Sequence, residues 1–327
     1  MILPYPLRLL CLCLAAFFVF HLVLGLAAML AAPLAIRRAE RIRSQTAARL
    51  LLYLRLLPLA GSVFLVAGVC VPSYLWFEPE GDGEQIGAWC LAAAFLAVTI
   101  WAISIARGLR ATVRSFRYVD RCRRYSRKMH LGGEPVPVWV VEGAPGCLVL
   151  AGIFRPRVFV SRAVLDALSV PQLSAALRHE RAHRISRDNL KRLFLLLTPD
   201  VLPFSRCFRA IEGGWAKFAE WAADDGAVAG DSRRSLSLAA ALVRVARLNP
   251  ASPLPIPLVT SLLGGGMDLL VRVDRLLREA PPREAPPRGT PVLAAGAIAG
   301  ALALAVAGML QPATLHAAHR LLEELMH

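Results

Sequence analysis

Ser169-Val170-Pro171-Gln172-Leu173-Ser174-Ala175-Ala176-Leu177-Arg178-His179-Glu180-Arg181-Ala182-His183 is the stretch on which the reading of this 327-residue chain turns. Serine at the N-cap, proline near the start and glutamine at the third helical position form a capping box. Leu173, Ala176 and Leu177, then Leu190, Phe194 and Leu197, recur at spacings of three and four, predicting one long helix over 170–198. Thr198-Pro199 ends it, because the residue before proline avoids helical backbone. Within that helix His179 and His183 lie four apart, so both imidazoles leave the same face and can reach one metal ion. Glu180 stands beside the first of them, placed to take a proton from a water molecule at that ion.

Upstream and downstream of this helix the chain is strongly apolar: 56% of its residues are hydrophobic. Four stretches reach the roughly 20 residues needed to cross a bilayer, at about 9–34, 56–76, 86–106 and 291–310. The first is too long for the core of a signal peptide. Arg37, Arg38, Arg41, Arg43 and Arg49 follow the first span, and nine basic residues from Arg107 to Lys128 follow the third. The loop between the second and third carries Glu78, Glu80, Asp82 and Glu84 and no basic residue. The positive-inside rule therefore predicts external termini and a cytoplasmic segment over 107–289, in an α-helical membrane protein with four transmembrane helices. Residues 1–106 are expected to form three of them, 290–310 the fourth, and 311–327 a short external tail.

The net charge of +15 falls largely in those two membrane-flanking blocks, where topology and anionic lipid account for it. Direct nucleic-acid binding is not expected, since no aromatic-interleaved basic patch or recognition motif accompanies the charge. Seven scattered cysteines form no C-x-x-C pair and predict neither a thiolate metal site nor a disulfide framework. His21, polar at membrane depth, is expected to hydrogen-bond a neighbouring helix. Gly296 and Gly300, four apart in the last span, offer a close-packing face for a homodimer.

The cytoplasmic segment reads as α+β. Runs at 136–141, 147–151 and 157–161 predict a small antiparallel sheet, and helical patterns follow at about 162–168, 170–198, 205–229, 233–248 and 266–279. The last of these is amphipathic and is expected to pack on the domain or the membrane surface. Pro281–Gly289 reads as an extended linker into the fourth span.

Two histidines leave a catalytic metal site one protein ligand short. The next histidine, His316, lies beyond the fourth span, so a carboxylate on a neighbouring helix is expected. Glu220 is the leading candidate, and Asp224, four residues on, shares its face. Asp224 is placed to accept the outer N–H of a ligand histidine, which would hold its tautomer, and Asp188, five residues after His183, is placed either to do the same or to cap a turn.

With these residues in view, the chain resembles the gluzincin metallopeptidases of the HtpX type. It is more similar still to the membrane peptidases of the BlaR/MecR family, β-lactam-responsive antirepressors. The resemblance spans roughly residues 1–310 and rests on H-E-x-x-H with Arg187-Asp188 after it, on Glu220-x-x-x-Asp224, and on Phe154-Arg155-Pro156-Arg157-Val158-Phe159-Val160-Ser161 before it. The order of three spans, zinc domain and fourth span matches as well. It implies a gluzincin-like zinc peptidase domain holding one Zn2+ on His179, His183 and Glu220, with Glu180 as general base. It further implies limited proteolysis of a protein or peptide substrate: a cytoplasmic transcriptional repressor, the chain itself, or both. Family receptors carry an external penicillin-binding domain after the fourth span; only Gln311–His327 follow here, so no such sensor is expected. Two other readings stand beside this one: an HtpX-like quality-control peptidase and a non-catalytic membrane scaffold.

Overall fold

The alanine- and leucine-rich first third of the chain folds into long helices in the computed structural model of the protein. The structure describes residues 4–77, 86–130, 137–143, 146–201, 206–248, 258–262 and 269–278, with the single residues 311 and 320. Helix α1 runs Tyr5–Ala39 and α2 runs Ser44–Leu65, continued by a π-helical turn over Val66–Cys70 and by α3, Val71–Phe77. Helix α4 runs Ala88–Arg124 without a break. Three rods among the described residues, 5–39, 44–77 and 88–124, are long and apolar enough to cross a membrane, which marks a membrane protein. The expected fourth span, the proline-rich linker, the Gly296–Gly300 face and the acidic loop lie outside the described residues.

All three rods overrun the stretches that hydropathy marks. The reason is visible in the packing: the last turns of α1 and the first of α2 face protein rather than lipid. Ala28, Ala32 and Ala39 of α1 and Ala47, Ala48 and Leu51 of α2 are buried in one cluster with Phe208, Ile211, Trp215 and Phe218. Those aromatics belong to α8, Arg206–Val228. Small alanines let the three helices approach closely while each aromatic supplies a large buried area.

The sheet is mixed, with strand order β1-β2-β4-β3-β5. Strands β2 (Val138–Val141), β3 (Leu148–Ala151) and β4 (Arg157–Ser161) coincide with the three apolar runs. The purely antiparallel sheet expected from them is corrected, because β2 pairs with β4 in parallel. Two edge strands were not foreseen: β1, Ser126–Met129, is polar and sits in the basic block, and β5, Val259–Ser261, has three residues. Short polar edges carry no periodicity to read, and they protect a sheet from pairing with other chains.

Helix α5 (Arg162–Ala167) begins at Ser161, whose hydroxyl accepts the Val164 amide. The long helix expected over 170–198 is broken in two: α6, Val170–Ser186, and α7, Asp188–Leu197. Gln172 Oε1 accepts the Ser169 amide at 3.1 Å, so the capping box is present. Arg187, between the two helices, adopts φ 55° and ψ 42°, a left-handed conformation that costs a non-glycine residue about 1–3 kcal/mol. Helices α9 (Ser232–Leu248) and α10 (Leu269–Leu277) complete the domain. Its core joins the sheet to α5, α6, α9 and α10 through Val138, Leu148, Val160, Val164, Ala176, Leu238, Leu242 and Leu276.

Helix α7 is keyed into α4 at Gly108. A Cβ there would lie 2.3 Å from Leu197 Cδ2 and 2.9 Å from its Cγ. Gly108→Val is therefore expected to destabilise the protein by about 1–3 kcal/mol through overpacking. Thermal unfolding of the detergent-solubilised protein checks this, and an unchanged midpoint would show that Leu197 moves aside freely.

Candidate metal centre

The capped α6 brings His179 and His183 round to the same buried face, where α8 packs against it. Glu220 projects from the facing turn of α8. His179, His183 and Glu220 form a cluster that could hold a metal ion, each offering a ligand atom within 4.8 Å of the others. The two Nε2 atoms are 3.1 Å apart. Each lies 3.6 Å from Glu220 Oε2. A triangle with those sides has a circumscribed radius of about 2.0 Å, the length of Zn–N and Zn–O bonds. The donor set thus fits a first-row divalent cation in size and in chemistry.

The outer nitrogens of both rings face acids. His183 Nδ1 lies 2.7 Å from Asp188 Oδ2. The break at Arg187 makes this contact possible, since five positions along an unbroken helix would carry Asp188 well round the axis from His183. His179 Nδ1 is 2.9 Å from Asp224 Oδ1, within ion-pair distance. Each acid favours the tautomer that points the Nε2 lone pair inward. Asp188 is held in turn by Lys191 Nζ at 2.9 Å. Asn189 Nδ2 donates to the carbonyls of Leu150 and Gly152 at 3.2 and 2.8 Å, fixing the start of α7 to the end of β3.

All six residues singled out in the sequence converge here. His179, Glu180, His183 and Asp224 are fully buried, and Asp188 and Glu220 nearly so. Neither carboxylate oxygen of Glu180 has a hydrogen-bond partner among the described residues. Burial pushes its pKa up to about 7, the two histidines opposing. Burial alone would lower His183, but the Glu220 charge and the Asp188 and Glu220 contacts outweigh it and raise its pKa to about 10. His179 is raised as well, against its burial, by Asp224 and Glu220. Glu220 falls well below the usual carboxylate range, since His183 and His179 overcome its desolvation. These acids together favour positive charge between them.

Two charge partners escaped the sequence reading. Arg272, on α10, is 1% exposed and grips Asp224 with two bonds, Nε to Oδ2 at 2.9 Å and Nη2 to Oδ1 at 2.8 Å. Its Nη1 donates to the Leu262 carbonyl at 2.8 Å and lies 3.2 Å from Glu220 Oε2. The signal was there: Arg272 occupies the stripe between Leu269 and Leu276 that the amphipathic pattern turns inward, and a buried arginine needs a buried acid. Arg192 Nη2, 3.7 Å from Glu220 Oε1, was also missed. No family model matches the chain, and no curated protein matches it.

Proposed function

We propose that this protein is an integral-membrane zinc endopeptidase of the BlaR/MecR kind. It crosses the bacterial inner membrane four times and holds a gluzincin-like domain in the cytoplasm, with both termini outside. The observation that carries this reading is the buried His179–His183–Glu220 triangle with Glu180, unpartnered among the described residues, beside it. A structural metal site closes itself with four protein ligands, whereas three ligands and an adjacent free carboxylate suit hydrolysis.

The geometry supports a role for each residue. His179, His183 and Glu220 would hold the ion, and Asp224 and Asp188 would keep the two rings in the metal-binding tautomer. A bound zinc ion would polarise a peptide carbonyl and acidify a neighbouring water. Glu180 takes the proton from the attacking water and passes it to the departing amine. Arg272 offsets the charge of Asp224 and Glu220, so the triangle can be anionic and buried together. The substrate is a cytoplasmic regulator, this chain itself, or both, cut at few positions in transmembrane signalling.

The full-length protein, purified in detergent, is expected to carry about one zinc per chain by elemental analysis. It should cleave itself or an unstructured protein, stop when a chelator removes the metal, and recover when zinc is returned. Failure to take up supplied zinc would end the metal reading. Zinc bound without any cleavage would favour a scaffold.

A further inference from the structure

The turn that follows α7, Thr198-Pro199-Asp200, is held by three membrane helices at once. His21 of α1 reaches the Pro199 carbonyl through Nε2 at 3.0 Å. Arg107 of α4 donates from Nη2 to the Thr198 carbonyl at 3.0 Å and from Nη1 to Asp200 Oδ2 at 2.8 Å. Arg55 of α2 donates from Nη2 to Asp200 Oδ1 and from Nε to Glu212 Oε1, the latter at 2.7 Å. Its guanidinium also lies over the Phe208 ring, 4.8 Å from the centroid. Arg55 is 2% exposed, although an arginine beside a span is costly to bury and rarely kept without a task.

The two acids that Arg55 holds belong to opposite halves of the metal centre. Asp200 follows α7, which opens with Asp188, the partner of ligand His183. Glu212 lies on α8 eight residues before Glu220, about 12 Å along one uninterrupted helix. The halves also meet directly, α8 packing against α6 and Arg192 of α7 lying 3.7 Å from Glu220 Oε1, and each is docked on a long apolar helix of its own. Leu197 of α7 fills the space at Gly108 of α4, and Leu51 of α2 packs where a Gly214 Cβ would stand, at 2.9 Å. Arg55 adds an ionic bridge from one half to the other, through Asp200 and Glu212.

We propose that Arg55 is a positioning residue for the metal centre: by clamping Asp200 to Glu212 it sets Glu220 opposite the two histidines. This rests on His179, His183 and Glu220 being a metal site. Removing the bridge lets α8 shift against α6 and α7, and ligand distances that match a metal to within tenths of an ångström are lost. Arg55→Gln should leave a folded protein whose zinc affinity falls about tenfold, the lower end of the effect of groups that orient ligands. Arg55→Lys, which keeps a cation in place, should recover most of that loss.

The experiment is competition for zinc chloride between a chromophoric chelator and the full-length protein in detergent. Hydrogen exchange of α8 and the metal-free melting temperature are followed alongside. Weaker zinc binding with faster exchange in α8, partly restored by lysine, supports the inference. A lower melting temperature with unchanged zinc affinity overturns it, since Arg55 would then be only structural. Should Arg55→Gln not fold, Glu212→Gln, at a half-exposed carboxylate, must weaken zinc in the same direction or the idea fails. If the wild type itself holds no zinc, the metal-centre reading falls too.

Discussion

Replacing Glu180 by glutamine is expected to leave zinc bound and to slow peptide cleavage by about 10²–10⁴-fold, the range general acid–base catalysis contributes. The substitution keeps the side chain's shape and removes only its ability to accept and carry a proton. None of the three candidate ligands is touched, so zinc content should match the wild type. Stability gives a second, independent sign. Burial raises the Glu180 pKa above its unfolded value, so folding is favoured while the group is protonated. That contribution is fully present below about pH 4.5 and is lost as pH rises through about 7. Metal-free Glu180→Gln should therefore match the wild type in acid and exceed it at pH 8, by at most about 3 kcal/mol. Urea unfolding of the two metal-free proteins at both pH values measures this. Equal cleavage by both proteins would remove Glu180 from the mechanism.

The site was more legible in the sequence than the fold around it. Four-residue spacing places His179 with His183 and Glu220 with Asp224, because α6 and α8 are regular helices and one period governs both. Asp188 was reachable for the opposite reason. Its contact with His183 depends on a break at Arg187 that no propensity signals, and a continuous helix would have turned it away. The supporting basic residues were not readable as a set. Arg272, Arg55 and Arg107 act across separations of 48, 157 and 93 residues, and local pattern says nothing about contacts so distant. Hydropathy marks the apolar stretches and not the full helices: Ala39 of α1 and Ala47 and Ala48 of α2 lie beyond those stretches and are buried against protein, a contact that composition does not show.

Arg272→Met should destabilise the metal-free protein by about 3–5 kcal/mol, the cost of leaving a buried acid without its partner. Asp224 is fully buried and loses both bonds of its fork, while Glu220 loses a cation at 3.2 Å. Methionine fills much of the volume, so the loss is electrostatic rather than a cavity. Arg275, three residues along the same helix, is the internal control. Its bond to Asp225, at 2.5 Å, joins side chains 31% and 50% exposed, so solvent screens it. Arg275→Met should cost no more than about 1 kcal/mol. Zinc affinity separates the two further. Without Arg272, Asp224 no longer holds His179 in register, and affinity should fall about 10–100-fold, whereas the Arg275 variant should bind as the wild type. The double variant Arg272→Met with Asp224→Asn decides the cause. Neutralising the stranded acid should return a large part of the lost stability but none of the metal affinity, because the carboxylate that orients His179 is gone as well. Recovery of both would mean that Arg272 serves the fold alone; recovery of neither would place its main partner at Glu220.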